Sequence, residues 1–258
     1  MVLKLKKALI YIMPRYQIFV EYVGSNYEGW QIQNKGQTIQ GVIQAKISKF
    51  LKEKINIVGS GRTDSGVHAI SQSAHFDTKV LIKNKCKFLK SINFFLKNKK
   101  IAILDIKKRN KNFHARFSAR ERIYKYIIFN QISPSVLNHE RGWHIVKKLD
   151  LKEMQKGARK LLGTKDFSTF RASTCNAKSP IRTMKSVKIK SQNNQISIEF
   201  RSKSFLQKQV RSMVGCLKYL GEKKWDLEKF DKVLNSKRRE LCAPPAPAKG
   251  LFLKRVFY

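Results

Sequence analysis

Short stretches of two-residue hydrophobic alternation take turns with longer stretches of helical spacing, and this order runs twice along the chain. No other feature restricts the fold as strongly. In residues 16–22, YQIFVEY, the side chains of Ile18, Val20 and Tyr22 fall on one face of an extended segment. Thr38 can cap a helix whose apolar stripe is Ile39, Val42, Ile43, Ile47, Phe50 and Leu51. A short strand over Ile55–Val58, a strand over Ser71–Asp77, a helix marked by Phe88, Leu89, Ile92, Phe95 and Leu96, and a strand over Ile101–Ile106 complete the first round. The polar stretch Lys107–Asn112 reads as the crossing into a second half.

The second round opens on a strand over Arg122–Phe129, with Tyr124, Tyr126 and Ile128 on one face. Asp150 and Glu153 suggest a capping box for a helix striped by Leu151, Met154, Ala158, Leu161 and Leu162, with Gly163 at its C-cap. Strands near Thr183–Ile189 and Gln195–Arg201 follow, then a helix from Leu206 to Leu220 closed by Gly221. A short helix near Trp225–Leu234, the turn APPAPA and a last strand, Leu251–Tyr258, end the chain. Two rounds of strands and amphipathic helices predict an α+β fold of two lobes, each a sheet with helices on one side. The boundaries are an N-terminal extension over 1–12, with Met13 as an alternative start, a lobe over 13–110 and a lobe over 111–258.

Charge narrows the partners. The 258 residues carry 55 Lys and Arg against 17 Asp and Glu, a net charge of +38. Such a surface favours a polyanion, foremost nucleic acid, held by phosphate contacts. Its size is discounted, because 40 of the 55 cations are Lys in a chain also rich in Ile, Asn and Phe, as an A/T-rich genome would give. No apolar run approaches the roughly 18 residues of a membrane helix, and the six-residue stretch Ala8–Met13 is short for a signal peptide. Cys86, Cys175, Cys216 and Cys242 are scattered without a CxxC pair, which predicts reduced thiols in the cytoplasm. The five histidines show no metal-ligand spacing, so no metal site is expected.

The densest polar cluster is GRTDSGVHA, Gly61 to Ala69. Gly59, Gly61 and Gly66 allow turns that place side chains at the rim of a cleft. Asp64 lies two residues from Arg62, and a carboxylate facing a guanidinium stays ionised as a nucleophile or base. On residue types alone an Asx-turn reading is favoured for Asp64. The segment is not a P-loop, and residues this close in sequence do not make a serine triad.

GRTDSGVHA closely resembles the active-site motif of the tRNA pseudouridine synthase A (TruA-type) family. Further blocks of that family follow in order: EYVGSNYEGWQ from Glu21, FHARFSA from Phe113, YKYII from Tyr124, DFSTFR from Asp166, FLQKQVRSMVG from Phe205 and APPAPAKGL from Ala243. Together they span roughly residues 14–258. The resemblance implies two ferredoxin-like α/β lobes whose antiparallel sheets meet at a central basic cleft, working as a homodimer without cofactor. It implies isomerisation of uridine to pseudouridine at positions 38, 39 and 40 of the tRNA anticodon stem-loop. Asp64 matches the catalytic aspartate. Tyr124 matches the tyrosine that stacks on the target uracil and assists proton removal. Arg211 matches an arginine that holds the carboxylate, and Arg62 one that fills the space of the displaced base.

The residues agree with that chemistry. Exchanging an N–C for a C–C glycosidic bond loses no atoms and involves no net redox change. A carboxylate beside the sugar can trap oxocarbenium-like charge or remove a sugar proton to give a glycal, and both routes remain open. Two departures stand out: Val23 replaces the family's usual Asp, and Gln209 replaces its Met. A silent RNA-binding scaffold is disfavoured by the presence of Asp64, Tyr124 and Arg211 together. A glycosidase or nuclease is disfavoured because no second carboxylate or metal cluster accompanies Asp64.

Overall fold

The structure, a computed structural model, describes residues 13–258; the expected extension over 1–12 lies outside the described residues. Strand β1 (Arg15–Tyr22) is followed by α1 (Ile39–Leu51), whose N-cap is Thr38, its side chain accepting the Gly41 N–H. Strand β2 is shorter and later than its spacing predicts, at Val58–Gly59. The reason lies in α1, whose side chains take over the preceding backbone. Ser48 and Gln44 accept the N–H groups of Ile55 and Ile57, and Gln40 donates to the Ile57 carbonyl. Those groups therefore have no need of a ladder.

Strand β3 (His68–Asp77), α2 (Lys85–Leu96) and β4 (Ile101–Arg109) complete the first round. The segment read as a crossing, Lys107–Asn112, is in its first three residues a continuation of β4. Arg109 is held there by its Nε donating to Gln17 Oε1 at 2.8 Å.

The second round consists of β5 (Glu121–Asn130), β6 (Trp143–Ile145), α3 (Leu151–Lys160), β7 (Gly163–Asp166), β8 (Ile181–Gln192), β9 (Gln195–Ser202), α4 (Gln209–Gly221), α5 (Leu227–Asn235) and β10 (Leu251–Phe257). Asp150 caps α3 by accepting the N–H groups of Lys152 and Glu153, whereas the Glu153 carboxylate pairs with Lys156 at 2.7 Å. The cap is therefore a plain Asp cap where a reciprocal box was expected. Gly163 lies two residues past the C-cap, which is Leu161, and its φ of +90° turns the chain from the helix into β7. Strands β6 and β7 are short, with only Ile145 buried, have no clear alternation and were not anticipated.

The fold is α+β, as the sequence predicts, and the sheets of the two rounds are one sheet ordered β4-β1-β3-β10-β5-β9-β8-β7, with β2 on β3 and β6 on β5. Its pairings are antiparallel except β3–β10 and β5–β6. The joint is made by the last strand: Leu253 of β10 pairs with Ala69 of β3 on one side and Tyr124 of β5 on the other. Apolar side chains of β1, β3, β5, β9 and β10 and of α1 to α5 form one continuous core, including Ile18, Phe76, Tyr126, Phe200, Leu217 and Leu253.

Candidate active site

The β10 joint brings together what the sequence keeps apart. Asp64 lies in the loop that enters β3, and Tyr124 faces Leu253 one strand beyond β3's partner. Two strand spacings are about 10 Å, close enough that the Asp64 charge acts on the Tyr124 phenol. Helix α4 begins beside the same loop, with Lys208 at its N-cap and Arg211 in its first turn.

Glycines of the block EYVGSNYEGW let the backbone of residues 23–30 press on the Asp64 loop. A Cβ on Gly24 would lie 2.0 Å from the Val67 carbonyl oxygen, and one on Gly29, whose φ is +87°, 2.5 Å from that of Thr63. The two segments are stitched by Trp30 N–H to Thr63 O at 3.1 Å and by Ser65 Oγ donating to Tyr27 O at 3.1 Å. Tyr22 and Thr63 share a hydroxyl hydrogen bond of 2.8 Å, and Gly24 N–H donates to His68 Nδ1 at 2.9 Å. From below, Gln72 Nε2 donates to Gly61 O at 2.9 Å and its Oε1 accepts from Ser60 Oγ at 2.7 Å. The Arg122 guanidinium, itself buried, donates to Ser60 O at 2.6 Å, Arg116 O at 3.0 Å and Lys203 O at 2.5 Å. The loop is therefore fixed by hydrogen bonds on both sides of Asp64.

The partner of the Asp64 carboxylate is Arg211, with Nη1 3.9 Å from Oδ2, and not the neighbouring Arg62, which is exposed. The side chains of Asp64 and Arg211 are 26% and 16% exposed, so substrate can reach both groups while water is partly excluded. Arg211 is aimed by the APPAPA turn: its Nε donates to Ala246 O at 2.7 Å, and Ala246 N–H donates to Arg211 O at 2.9 Å. Gly215 makes room for that turn, since a Cβ there would lie 2.1 Å from the Pro244 carbonyl oxygen.

Burial pushes the Asp64 carboxyl above the ordinary Asp range, against the charges of Arg211 and Lys208, which pull it down. The sequence expectation of a lowered Asp64 is thereby corrected, because desolvation outweighs the two cations. Tyr124 is 8% exposed, meets Phe205 edge-on at 5.1 Å, and has its phenol pushed up to about 12, first by burial and then by the Asp64 charge, against the Arg122 charge. At neutral pH about one phenol in 10⁵ would be ionised, so Tyr124 is a neutral ring and hydroxyl.

Asp64, Tyr124 and Arg211 thus come together, with Arg62 projecting from the same loop. Reading by residue type missed Lys208, whose exposed ammonium acts on Asp64 and whose backbone is left-handed at φ 61°. It also missed the Ala246 peptide and Arg122. The signal for Lys208 was its place in the Arg211 block. Ala246 had the same signal, its place in the block APPAPAKGL, whereas Arg122 lies outside the blocks and its role rests on long-range backbone contacts. Among the described residues no group of three His, Cys, Asp or Glu could hold a metal ion, and no helix is long and apolar enough to cross a membrane.

Comparison with known proteins bears on the same residues. The family described as tRNA pseudouridine synthase matches residues 18–118 and 158–258, which include Asp64 and Arg211. A tRNA pseudouridine synthase A of Pelagibacter ubique is 67% identical over 246 residues, covering 95% of this chain and all of the relative. Proteins of the same name from Paramagnetospirillum magneticum and Parvibaculum lavamentivorans are 42% and 39% identical, each over 95% of this chain and over 96% and 100% of their own lengths. With the match running through both halves of the sheet and through the loop that holds Asp64, the chain belongs to the tRNA pseudouridine synthase family.

Proposed function

We propose that this chain isomerises uridine to pseudouridine at positions 38, 39 and 40 of the tRNA anticodon stem-loop, with Asp64 as the catalytic residue and Tyr124, Arg62 and Arg211 as substrate-binding residues. The observation that supports this most is a half-buried carboxylate held 3.9 Å from a guanidinium in a hydrogen-bonded loop, its charge acting on a buried tyrosine from the other half of the sheet.

The reaction needs uracil detached from the anomeric carbon, turned while held, and rejoined through C5, which then loses a proton. Asp64 meets the sugar: it attacks the anomeric carbon or takes the 2′ proton. Arg211 keeps the carboxylate oriented without forming a tight salt bridge, so a lone pair stays available to the ribose. A target base must leave its stack, at a cost of a few kcal/mol, and the Tyr124 ring offsets part of this by stacking. Its phenol is neutral at working pH, so it serves proton removal only through a hydrogen bond or relayed water. Arg62, exposed on the same loop, takes the position the base vacates. The domains are a first lobe over 13–110 and a second over 111–258; the enzyme is a cytoplasmic homodimer and uses no cofactor.

The direct test is incubation with unmodified tRNA transcripts followed by mapping of pseudouridine. Product at 38–40 is expected. Product confined to another arm of the tRNA would overturn the site assignment, and no product would overturn the activity.

A further inference from the structure

The block FHARFSA presents an aromatic ring that the chemistry at Asp64 does not use. Phe117 is 75% exposed. A lone exposed apolar side chain is ordinary, but this one is built into position. His114 stacks on it with ring centroids 4.4 Å apart and planes 29° apart, while His114 Nδ1 accepts the N–H groups of both Arg116 and Phe117 at 3.2 Å. The turn is closed by His114 N–H to Ser118 Oγ and by Ser118 N–H to His114 O, each 2.9 Å. Beneath it, His75 Nδ1 accepts the Ala115 N–H at 3.1 Å, and Tyr258 donates to the Ala115 carbonyl at 2.9 Å. The ring is therefore held in place before any partner arrives.

Its surroundings indicate the kind of partner. Lys111, Arg116 and Arg120 of the same segment are exposed, and the Arg116 guanidinium lies 5.6 Å from the Phe117 centroid. An aromatic ring among cations is the composition that binds unpaired RNA, the ring stacking a base and the cations taking phosphates. The platform is tied to the candidate active site through one side chain: Arg122 donates to Arg116 O and to Ser60 O, at the root of the Asp64 loop.

We propose that Phe117, backed by His114 and flanked by Arg116, is a stacking site for an unpaired nucleobase of the RNA substrate other than the base that reacts. This rests on the tRNA reading above. The ring fixes the RNA beside the Asp64 loop by a contact that is indifferent to base identity, since every base has a π-face.

The test measures binding of an unmodified tRNA transcript to full-length protein carrying Asp64→Asn, which removes turnover, across a salt series. Adding Phe117→Ala is expected to weaken binding roughly tenfold, as loss of one base–aromatic stack does, with the slope of log affinity on log salt unchanged. Phe117→Trp should bind within about twofold of the Phe117 protein. Arg116→Ala should instead flatten the salt slope by about one unit. Melting temperatures should not move, because the ring is exposed. Equal binding by Phe117→Ala, or equal loss with Phe117→Trp, would overturn the inference. So would a change of oligomeric state in Phe117→Ala on sedimentation, which would give the ring to a second copy of the chain. If Asp64-intact protein forms pseudouridine and Phe117→Ala binds normally, this inference alone fails. If the intact protein forms none, the reading beneath it fails as well.

Discussion

Replacing Arg122 by Met probes how the two halves of the sheet hold the Asp64 loop. The guanidinium is buried and donates three hydrogen bonds, to Ser60 O in the first round and to Arg116 O and Lys203 O in the second. Charge-assisted hydrogen bonds contribute about 1.5–3 kcal/mol each, a gross loss of roughly 4.5–9 kcal/mol over three. Against that stands the recovered cost of burying a cation, several kcal/mol. Methionine fills most of the volume and returns the desolvation, as in replacements of whole buried ion pairs. Here, however, the acceptors are main-chain carbonyls that stay behind without their donor. The net destabilisation is therefore expected at about 3–5 kcal/mol, since each orphaned carbonyl costs about 1–3 kcal/mol and the returned desolvation offsets part of that sum. Urea unfolding at neutral pH should show a lower midpoint with an unchanged slope. Arg122→Lys, which has the charge but not the fork, should recover less than half. An Arg122→Met protein within about 1 kcal/mol of the parent, ordinary for a surface change, would refute the claim that this side chain ties the halves together.

Gly24→Ala places a methyl 2.0 Å from the Val67 carbonyl and must push the Asp64 loop aside, so activity should fall at least tenfold with a lower melting temperature; Gly163→Ala, with open space around it and only its φ of +90° against it, should cost about 1–2 kcal/mol and leave activity intact. Burial, then the charges of Arg15 and His114, depress His75 to about 4, so folding excludes a proton that the unfolded chain binds below about 6.5. Its contribution to stability is present above pH 6.5 and lost as pH falls toward 4; His75→Asn, whose Oδ1 can still accept the Ala115 N–H, should show a flatter fall in denaturation midpoint across that window. Arg211 lowers the Asp64 carboxyl, so Arg211→Gln should move the acid limb of kcat/KM to higher pH while reducing its plateau.

The period-2 and period-3.6 segments were legible because they report burial directly. Tyr124, Tyr126 and Ile128 all prove buried, and Thr38 and Asp150 cap where placed. Ile55–Val58 failed as a strand because α1 side chains satisfied its backbone, a long-range event that alternation cannot show. The single continuous sheet was illegible for a similar reason: it depends on β10 inserting between β3 and β5. At the site, residue types alone favoured an Asx turn at Asp64 and set Arg62 beside it, and only the family resemblance pointed to Arg211 as the arginine of the carboxylate. Arg62 is near in sequence, whereas Arg211 is brought 3.9 Å away by the turn around Ala246. The scatter of the cysteines likewise hid that Cys216 and Cys242 approach to 3.5 Å.

In the proposed reaction the Asp64 carboxylate carries the chemistry while the surrounding residues carry the binding. Single-turnover formation of pseudouridine on an unmodified transcript, measured beside affinity for Asp64→Asn, separates the two. The amide keeps the shape and loses the nucleophile, so product should vanish while the dissociation constant stays within about threefold, well under the roughly tenfold that 1.4 kcal/mol represents. Turnover by Asp64→Asn at a rate near that of the parent would contradict it.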